Sequence, residues 1–163
     1  MIQQVRLTLP NRPGTLEQAV RVLAGAGVDM KALEVYARGD GGSGDAHMIV
    51  SAPQAALKAL REAGQEAALE DVVVVEVTDQ VGGLAPILRA LGAAKVNVEH
   101  LYAFVTRLQG KSLCVFTVDD PARAEALLAA AGHRVATPRT IEDSTAPDGG
   151  DALGAHLGLD YFW

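Results

Sequence analysis

The sequence predicts an α+β fold made of two consecutive βαββαβ units. Three observations carry this. First, one phrase occurs twice, as "LPNRPGTLEQAV" from Leu9 to Val20 and as "VTDQVGGLAPIL" from Val77 to Leu88. Second, a shift of 68 positions aligns the two halves from about Val5 to Ala68 without a gap. It carries Gly14 onto Gly82, Leu23 onto Leu91, Val28 onto Val96 and Gly64 onto Gly132. A register that keeps both turn residues and apolar positions marks an internal duplication. Third, each half alternates strand-like and helix-like periodicity in the same order.

The first unit reads as follows. Val5, Leu7 and Leu9 alternate with Arg6 and Thr8 as a half-buried strand. Gly14 closes a loop. Thr15 followed by Gln18 matches a capping box, and Leu16, Val20, Leu23 and Ala24 follow at helical spacing until Gly25 and Gly27. "VDMKALEVYA" is a second strand, "RGDGGSGDA" a flexible hairpin loop and "HMIVSA" a third strand. Pro53 opens a second helix that Gly64 stops, and a fourth strand is expected near residues 66–69.

The second unit repeats the plan. "VVVVEV" is strand one, about Leu84 to Ala94 helix one, "VNVEHLYAFVTR" strand two and "SLCVFTV" strand three. The last helix follows Pro121, and "HRVAT" begins strand four. The order is that of the ferredoxin-like split βαβ arrangement, with antiparallel strands and the helices on one face. The expected domains are residues 1–69, residues 70–138, and a C-terminal linker and aromatic tail over 139–163.

Composition excludes several classes. Hydrophobic residues make up 49% and aromatics only 4%, so a core of Val, Leu, Ala and Ile is expected. A net charge of −6 and no Lys/Arg cluster argue against a nucleic-acid partner. No apolar run is long enough for a membrane helix, and "MIQQVRLTLP" has no signal-peptide pattern. The single cysteine, Cys114, fits a reducing cytoplasm and reads as a small buried hydrophobe. A cytoplasmic location is expected.

The repeated phrase, "NRPGTL…GVDMKALEV" and "DQVGGL…VNVEHLYAF", resembles the ACT domain, a small-molecule-binding regulatory module. Both copies match, over roughly residues 1–138, and the whole resembles stand-alone tandem ACT proteins of bacteria. The resemblance implies amino-acid binding at an interface between two ACT units. The loop after strand one and the start of helix one come from one unit, the start of strand two from its neighbour. In this sequence those positions are Asn11, Arg12, Pro13, Gly14 and Thr15, and then Asp79, Gln80, Val81, Gly82, Gly83 and Leu84. The strand-two starts are Asp29–Met30 and Asn97–Val98.

These residue types suit an amino acid. A glycine lets a ligand approach the backbone. The unpaired N–H groups of a helix start attract a carboxylate. Asn11 and Asp79 can accept from an ammonium. Asp79, with a full charge, and the Gly82–Gly83 pair favour the second loop.

No catalytic constellation stands out, so no enzyme activity and no cofactor are expected. His47, His100, His133 and His156 are far apart in sequence without metal-ligand spacing, so no metal site is expected. An enzyme on this scaffold would need an acid–base or metal cluster that only folding could assemble.

The outer face of the second unit, with Val72, Val74, Glu76, Tyr102 and Phe104, is more apolar than that of the first, with Gln4, Arg6, Thr8, Glu34 and Tyr36. Such a face is expected to meet another subunit or the chain's own tail. The final Tyr161, Phe162 and Trp163 are expected to dock on a sheet face or a neighbouring subunit.

The sequence therefore predicts a non-catalytic, amino-acid-binding regulatory protein, a homodimer. The alternative is a regulatory subunit acting by contact with a metabolic enzyme.

Overall fold

One long strand serves both units. The computed structural model describes residues 1–39, 41–104 and 110–145. Within it β4, Glu66–Thr78, pairs antiparallel through its first half with β1, Ile2–Pro10, and through its second half with β6, Lys111–Val118. The expected boundary between residues 69 and 70 falls inside this strand. The two strands expected near 66–69 and 72–77 fuse because "EAALEDVVVVEVT" holds no turn residue pair between them.

The other elements are α1 (Thr15–Gly25), β2 (Met30–Ala37), β3 (Ser43–Val50), α2 (Pro53–Glu62), α3 (Ala85–Ala93), β5 (Val98–Phe104), α4 (Pro121–Ala130) and α5 (Pro138–Thr145). The sheet order is β2-β3-β1-β4-β6-β5. The described residues thus form the α+β, ferredoxin-like fold with antiparallel strands. No described helix is long and apolar enough to cross a membrane.

Alternation on β4 builds two cores on its helix side. Ala67 packs with Val5, Leu7, Leu23, Met48 and Leu60 beneath α1 and α2. Val73, Val75 and Val77 pack with Ile87, Leu91, Phe116 and Leu128 beneath α3 and α4. Each fully buried large side chain contributes roughly 1.5–3 kcal/mol relative to exposure.

The opposite, helix-free faces of the two units pack against each other. Ile2, Ala32 and Ile49 of the first unit form one buried cluster with Val72, Val74, Tyr102, Leu113 and Val115. The apolar outer face expected of the second unit is therefore covered by the first unit of the same chain. β-bulges between Met30 and Ala32, and between Val98 and His100, occupy repeat-equivalent places. They turn Ala32 and Tyr102 toward this interface while Met30 and Val98 stay on the helix side.

Four local expectations need correction. The fourth strand of the second unit shrinks to a single bridge, Val75–Val135, flanked by hydrogen bonds from Glu76 to Arg134 and from Ala136 to Val74. The last four residues of the supposed flexible hairpin loop, Ser43 to Ala46, are strand, because β3 begins at Ser43. Gly44 allows this, since a Cβ there would stand 2.7 Å from the Tyr36 carbonyl oxygen. Thr15 is not an N-cap. Gly14 holds that position at φ 87°, and Thr15 Oγ1 instead donates to the carbonyls of Pro10 and Arg12 at 2.8 and 2.9 Å. Part of the expected C-terminal linker is helix α5. Thr137 Oγ1 caps it by accepting from the Thr140 N–H, Pro138 follows, and Ile141 is buried against the unit interface. Tyr161, Phe162 and Trp163 lie outside the described residues.

Candidate functional site

The two repeated loops share one backbone design. The Asn11 N–H donates to Gly42 O at 3.0 Å, and the Asp79 N–H to Gly110 O at 2.9 Å. Arg12 N–H donates to Pro10 O, and Gln80 N–H to Thr78 O. Gly14 and Gly82 both hold left-handed φ, 87° and 82°, and open space surrounds the position a Cβ would take. Both glycines therefore leave backbone within reach of a small molecule at the start of a helix. Gly83 differs. A Cβ there would stand 2.1 Å from Thr78 O, so this glycine is required by the turn itself.

The surroundings of the two loops differ more than their backbones. Arg12 and Thr15 line a cleft of about 620 Å³ with Thr8, Leu9, Gln18 and the turn from α2 into β4, Ala63 to Glu66. Asn11, Arg12 and Thr15 also border a smaller cleft with Leu16, Val35 and Tyr36. Arg12 and Glu66 are exposed, and neither forms an ion pair among the described residues. Residues 79–84 line neither cleft. Val81 at their centre stands fully in solvent.

The strand-two starts lie at the far end of each unit. Pro10 is level with Ser43 on β3, whereas Met30 is level with Val50. Thr78 is likewise level with Lys111, and Val98 with Val118. Asp29 and Asn97 make equivalent contacts there. Their N–H groups donate to Ser51 Oγ and Asp119 Oδ1, both at 3.0 Å. Asp120, not Asp119, caps α4 by accepting from the Arg123 N–H.

The unit interface holds a polar seam that the sequence reading missed. Gln4 is fully buried. Its amide donates to Glu70 Oε2 at 3.0 Å and Thr117 Oγ1 at 3.1 Å and accepts from the Tyr102 hydroxyl at 3.1 Å. Asp45, also buried, receives a two-pronged hydrogen bond from Arg38 at 2.6 and 2.7 Å and one from Thr8. Burial pushes the Asp45 carboxyl up, but the bonds from Arg38 and Thr8 and the charges of Arg38 and Arg6 outweigh it. They hold the group below the ordinary aspartate value.

Next to these hydrogen-bonded groups lie three with a buried atom that makes no hydrogen bond. Glu34 on β2, His47 on β3 and His100 on β5 bring one potential ligand atom each within 4.8 Å of one another. His47 and His100, far apart in sequence, meet in the fold, with ring centroids 4.5 Å apart. Sequence spacing cannot reveal this, because the pair forms only when the two helix-free faces meet. His47 is 4% exposed and its Nδ1 has no hydrogen-bond partner. His100 Nε2 abuts Glu34 Oε2, yet neither buried atom gains an aligned hydrogen bond. Burial, then the nearby His100, pushes His47 below the ordinary imidazole value, outweighing Glu70, Asp45 and Glu34. One signal was available. Alternation puts His100 on the same outer face as Tyr102, whose repeat equivalent is Glu34.

Comparison with known proteins decides the family. The family model for an ACT domain pair matches residues 1–136. The chain belongs to the ACT family. This ACT pair supports a regulatory, ligand-binding role. The fold is similar to that of a protein from Bacteroides thetaiotaomicron, with a TM-score of 0.78 and 24% identity, covering 86% of this chain and 94% of that one. It is also similar to the regulatory subunit of aspartate kinase from Thermus thermophilus, with a TM-score of 0.59 and 19% identity, covering 79% of this chain and 91% of that one. The corresponding subunit from Thermus flavus gives 0.57 and 18%, covering 87% and 91%. These likenesses are of fold. Among curated proteins no relative matches.

Proposed function

We propose that this ACT pair is a non-catalytic regulatory protein that binds an amino acid in the cleft beside its first loop. One observation carries the reading. Arg12 and Glu66, oppositely charged and free of ion pairs among the described residues, line a single cleft at the start of α1. An amino acid carries the complementary pair of charges. Its carboxylate would meet Arg12 and the first N–H groups of α1, and its ammonium the Glu66 carboxylate. A cleft of about 620 Å³ is of the size that small ligands use. Thr15 lines the same cleft, and Asn11 borders the smaller one beside it. The second loop, Asp79 to Leu84, is the weaker candidate because the equivalent cleft of its unit is smaller, about 200 Å³, is not lined by the loop, and has its charges, Glu76, Lys111 and Arg134, already paired with one another.

Asp29–Met30 and Asn97–Val98 fit this reading only as contributions from a second chain, since each lies at the sheet end opposite its own unit's loop. A homodimer is therefore part of the proposal. Leu33 and Val35, exposed on the edge strand β2, support it. They equally suit contact with a metabolic enzyme, as the name of the aspartate kinase regulatory subunits suggests for those proteins. The apolar face of the second unit no longer argues for such a partner, because the first unit covers it.

The test is thermal unfolding against each common amino acid over a concentration series. A ligand selective for the folded chain adds about 2.7 kcal/mol at 100 times its dissociation constant. The expected result is a saturable shift with one amino acid, lost in Arg12→Ala and reduced in Glu66→Gln. A shift lost in Asp79→Ala but kept in Arg12→Ala would move the site to the second loop. No shift with any amino acid would overturn the reading.

A further inference from the structure

We propose that Glu34, His47 and His100 form a binding site for a divalent transition-metal ion, of which zinc is the type, and that the ion ties the two ACT units together. The inference is independent of the cleft beside the first loop and stands if that reading fails.

The chemistry of the donors comes first. Two imidazoles and one carboxylate are a ligand set that suits zinc and its neighbours in the first transition row. Exposed acidic residues alone would carry no such weight. Here His47 is 4% exposed, and an unpartnered nitrogen in that setting is costly. Glu34 Oε2 and His100 Nε2 are buried too, and they touch each other without an aligned hydrogen bond. A metal ion would satisfy all three at once.

Geometry permits it. Tetrahedral ligands about 2.1 Å from zinc lie roughly 3.4 Å apart. The three ligand atoms are already within 4.8 Å of one another. Closing the widest pair needs at most about 1.4 Å of movement, and the abutting Glu34–His100 pair must move apart, both within reach of side-chain rotation. Glu34 and His100 are partly exposed, at 32% and 19% of their side chains, so an ion can enter from solvent. A water would complete four-fold coordination.

The repeat provides a further argument. Shifting each residue by 68 positions gives Tyr102 for Glu34, Val115 for His47 and Ala32 for His100. None of these carries equivalent ligand chemistry. The cluster is thus not a by-product of the duplicated fold; it arises where the two copies have diverged and meet. Tyr36 and Tyr102 pack on the His100 ring at centroid distances of 5.6 and 5.8 Å and help fix its orientation. Because β2 and β3 belong to the first unit and β5 to the second, the ion would bridge them.

The experiment uses the full chain, stripped with a chelator and titrated with zinc chloride against a chromophoric competitor. One ion per chain is expected. His100→Gln and Glu34→Gln, both at partly exposed positions, should each weaken binding by about a hundredfold or more, beyond what loss of a supporting contact usually costs. His47→Gln should do the same. Circular dichroism checks that each variant is folded. Zinc should raise the unfolding temperature of the parent chain and leave that of His100→Gln unchanged. Cobalt(II) should give visible absorption in the parent chain and lose it in the same variants. Absence of stoichiometric zinc binding would overturn the proposal. So would full retention of binding in His100→Gln and Glu34→Gln, which would place the ion elsewhere, as on His133 or His156.

Discussion

Lys95 occupies in the second unit the left-handed backbone position that Gly27 occupies in the first, with φ of 56° against 67°. Both follow a helix end, and the next residue closes each turn alike. Val28 and Val96 donate their N–H groups to Leu23 and Leu91 carbonyls at 3.0 Å. A residue with a Cβ pays about 1–2 kcal/mol in this conformation. Glycine removes that strain but loses more entropy on folding, roughly 0.5–1 kcal/mol. Lys95→Gly should therefore stabilise the chain by roughly 0.5–1 kcal/mol, and Gly27→Lys should destabilise it by a similar amount. Urea unfolding of both variants reads the pair. Equal destabilisation by both would show that the turn is not held as described.

Gln4 is the hub of the unit interface, and its removal should be felt on both sides. Gln4→Ala strips the Tyr102 hydroxyl of its acceptor and leaves Glu70 and Thr117 without the amide. The expected loss is about 1–3 kcal/mol from unsatisfied polar groups, with a cavity term added. Tyr102→Phe should cost about 1 kcal/mol. In a double-mutant cycle the two should couple by roughly 1 kcal/mol or less. Additive losses would mean that the two side chains do not depend on each other.

Periodicity and punctuation made the units legible in the sequence. Val5, Leu7 and Leu9 did face the helices, and Gly14, Gly64, Gly82 and Gly132 all hold the positive φ expected of such turn glycines. What was not legible depends on contacts across the duplication. Alternation marked Glu34, Tyr36 and Tyr102 as outward-facing, but "outward" assumed one unit at a time. The polar face of the first unit and the apolar face of the second are complementary only once β4 joins them. For the same reason His47 and His100, which are remote in sequence, met unannounced. The loss of a strand at residues 133–137 was hidden too, since a strand-like composition says nothing about how much partner is left to pair with. Ile2 already ends β1 opposite Val72, so only Val135 finds room beside Val75.

Ile141 shows how the segment after the repeat contributes. Its side chain is 4% exposed and joins Ile2, Ile49 and Val74 in the interface cluster. Ile141→Ala should destabilise the whole chain by about 2–4 kcal/mol, within the range for truncating a buried aliphatic side chain. Arg139→Ala, two residues earlier and largely exposed, should change stability by less than about 0.5 kcal/mol. A small effect of Ile141→Ala would mean that α5 frays away without consequence.

Gly82 and Gly83 adjoin but are glycine for different reasons, and alanine separates them. Gly82→Ala introduces a Cβ into open space at φ 82°, which should cost about 1–2 kcal/mol. Gly83→Ala drives a Cβ to 2.1 Å from Thr78 O, so the turn must move, and the loss should reach about 3 kcal/mol. Thermal unfolding ranks the two. The reverse order would contradict the tight turn before α3.

Cys114 is the chain's only cysteine, so its chemistry can be read without ambiguity. It lies on β6 in the core beneath α3 and α4, 6% exposed, and burial pushes its thiol above the ordinary value. The thiolate is the reactive form, so two barriers act together: access and ionisation. A disulfide reagent at mildly alkaline pH should label the folded chain slowly and the urea-unfolded chain fast. The same shift links to stability. An unfolded thiol ionises first, so the stabilising contribution is complete below the unfolded-state pKa. It is lost as pH climbs from there through the folded-state value. Cys114→Ser should label in neither state and should flatten that part of the alkaline stability loss. Rapid labelling of the native parent chain at neutral pH would place Cys114 at the surface and contradict the packing of β6.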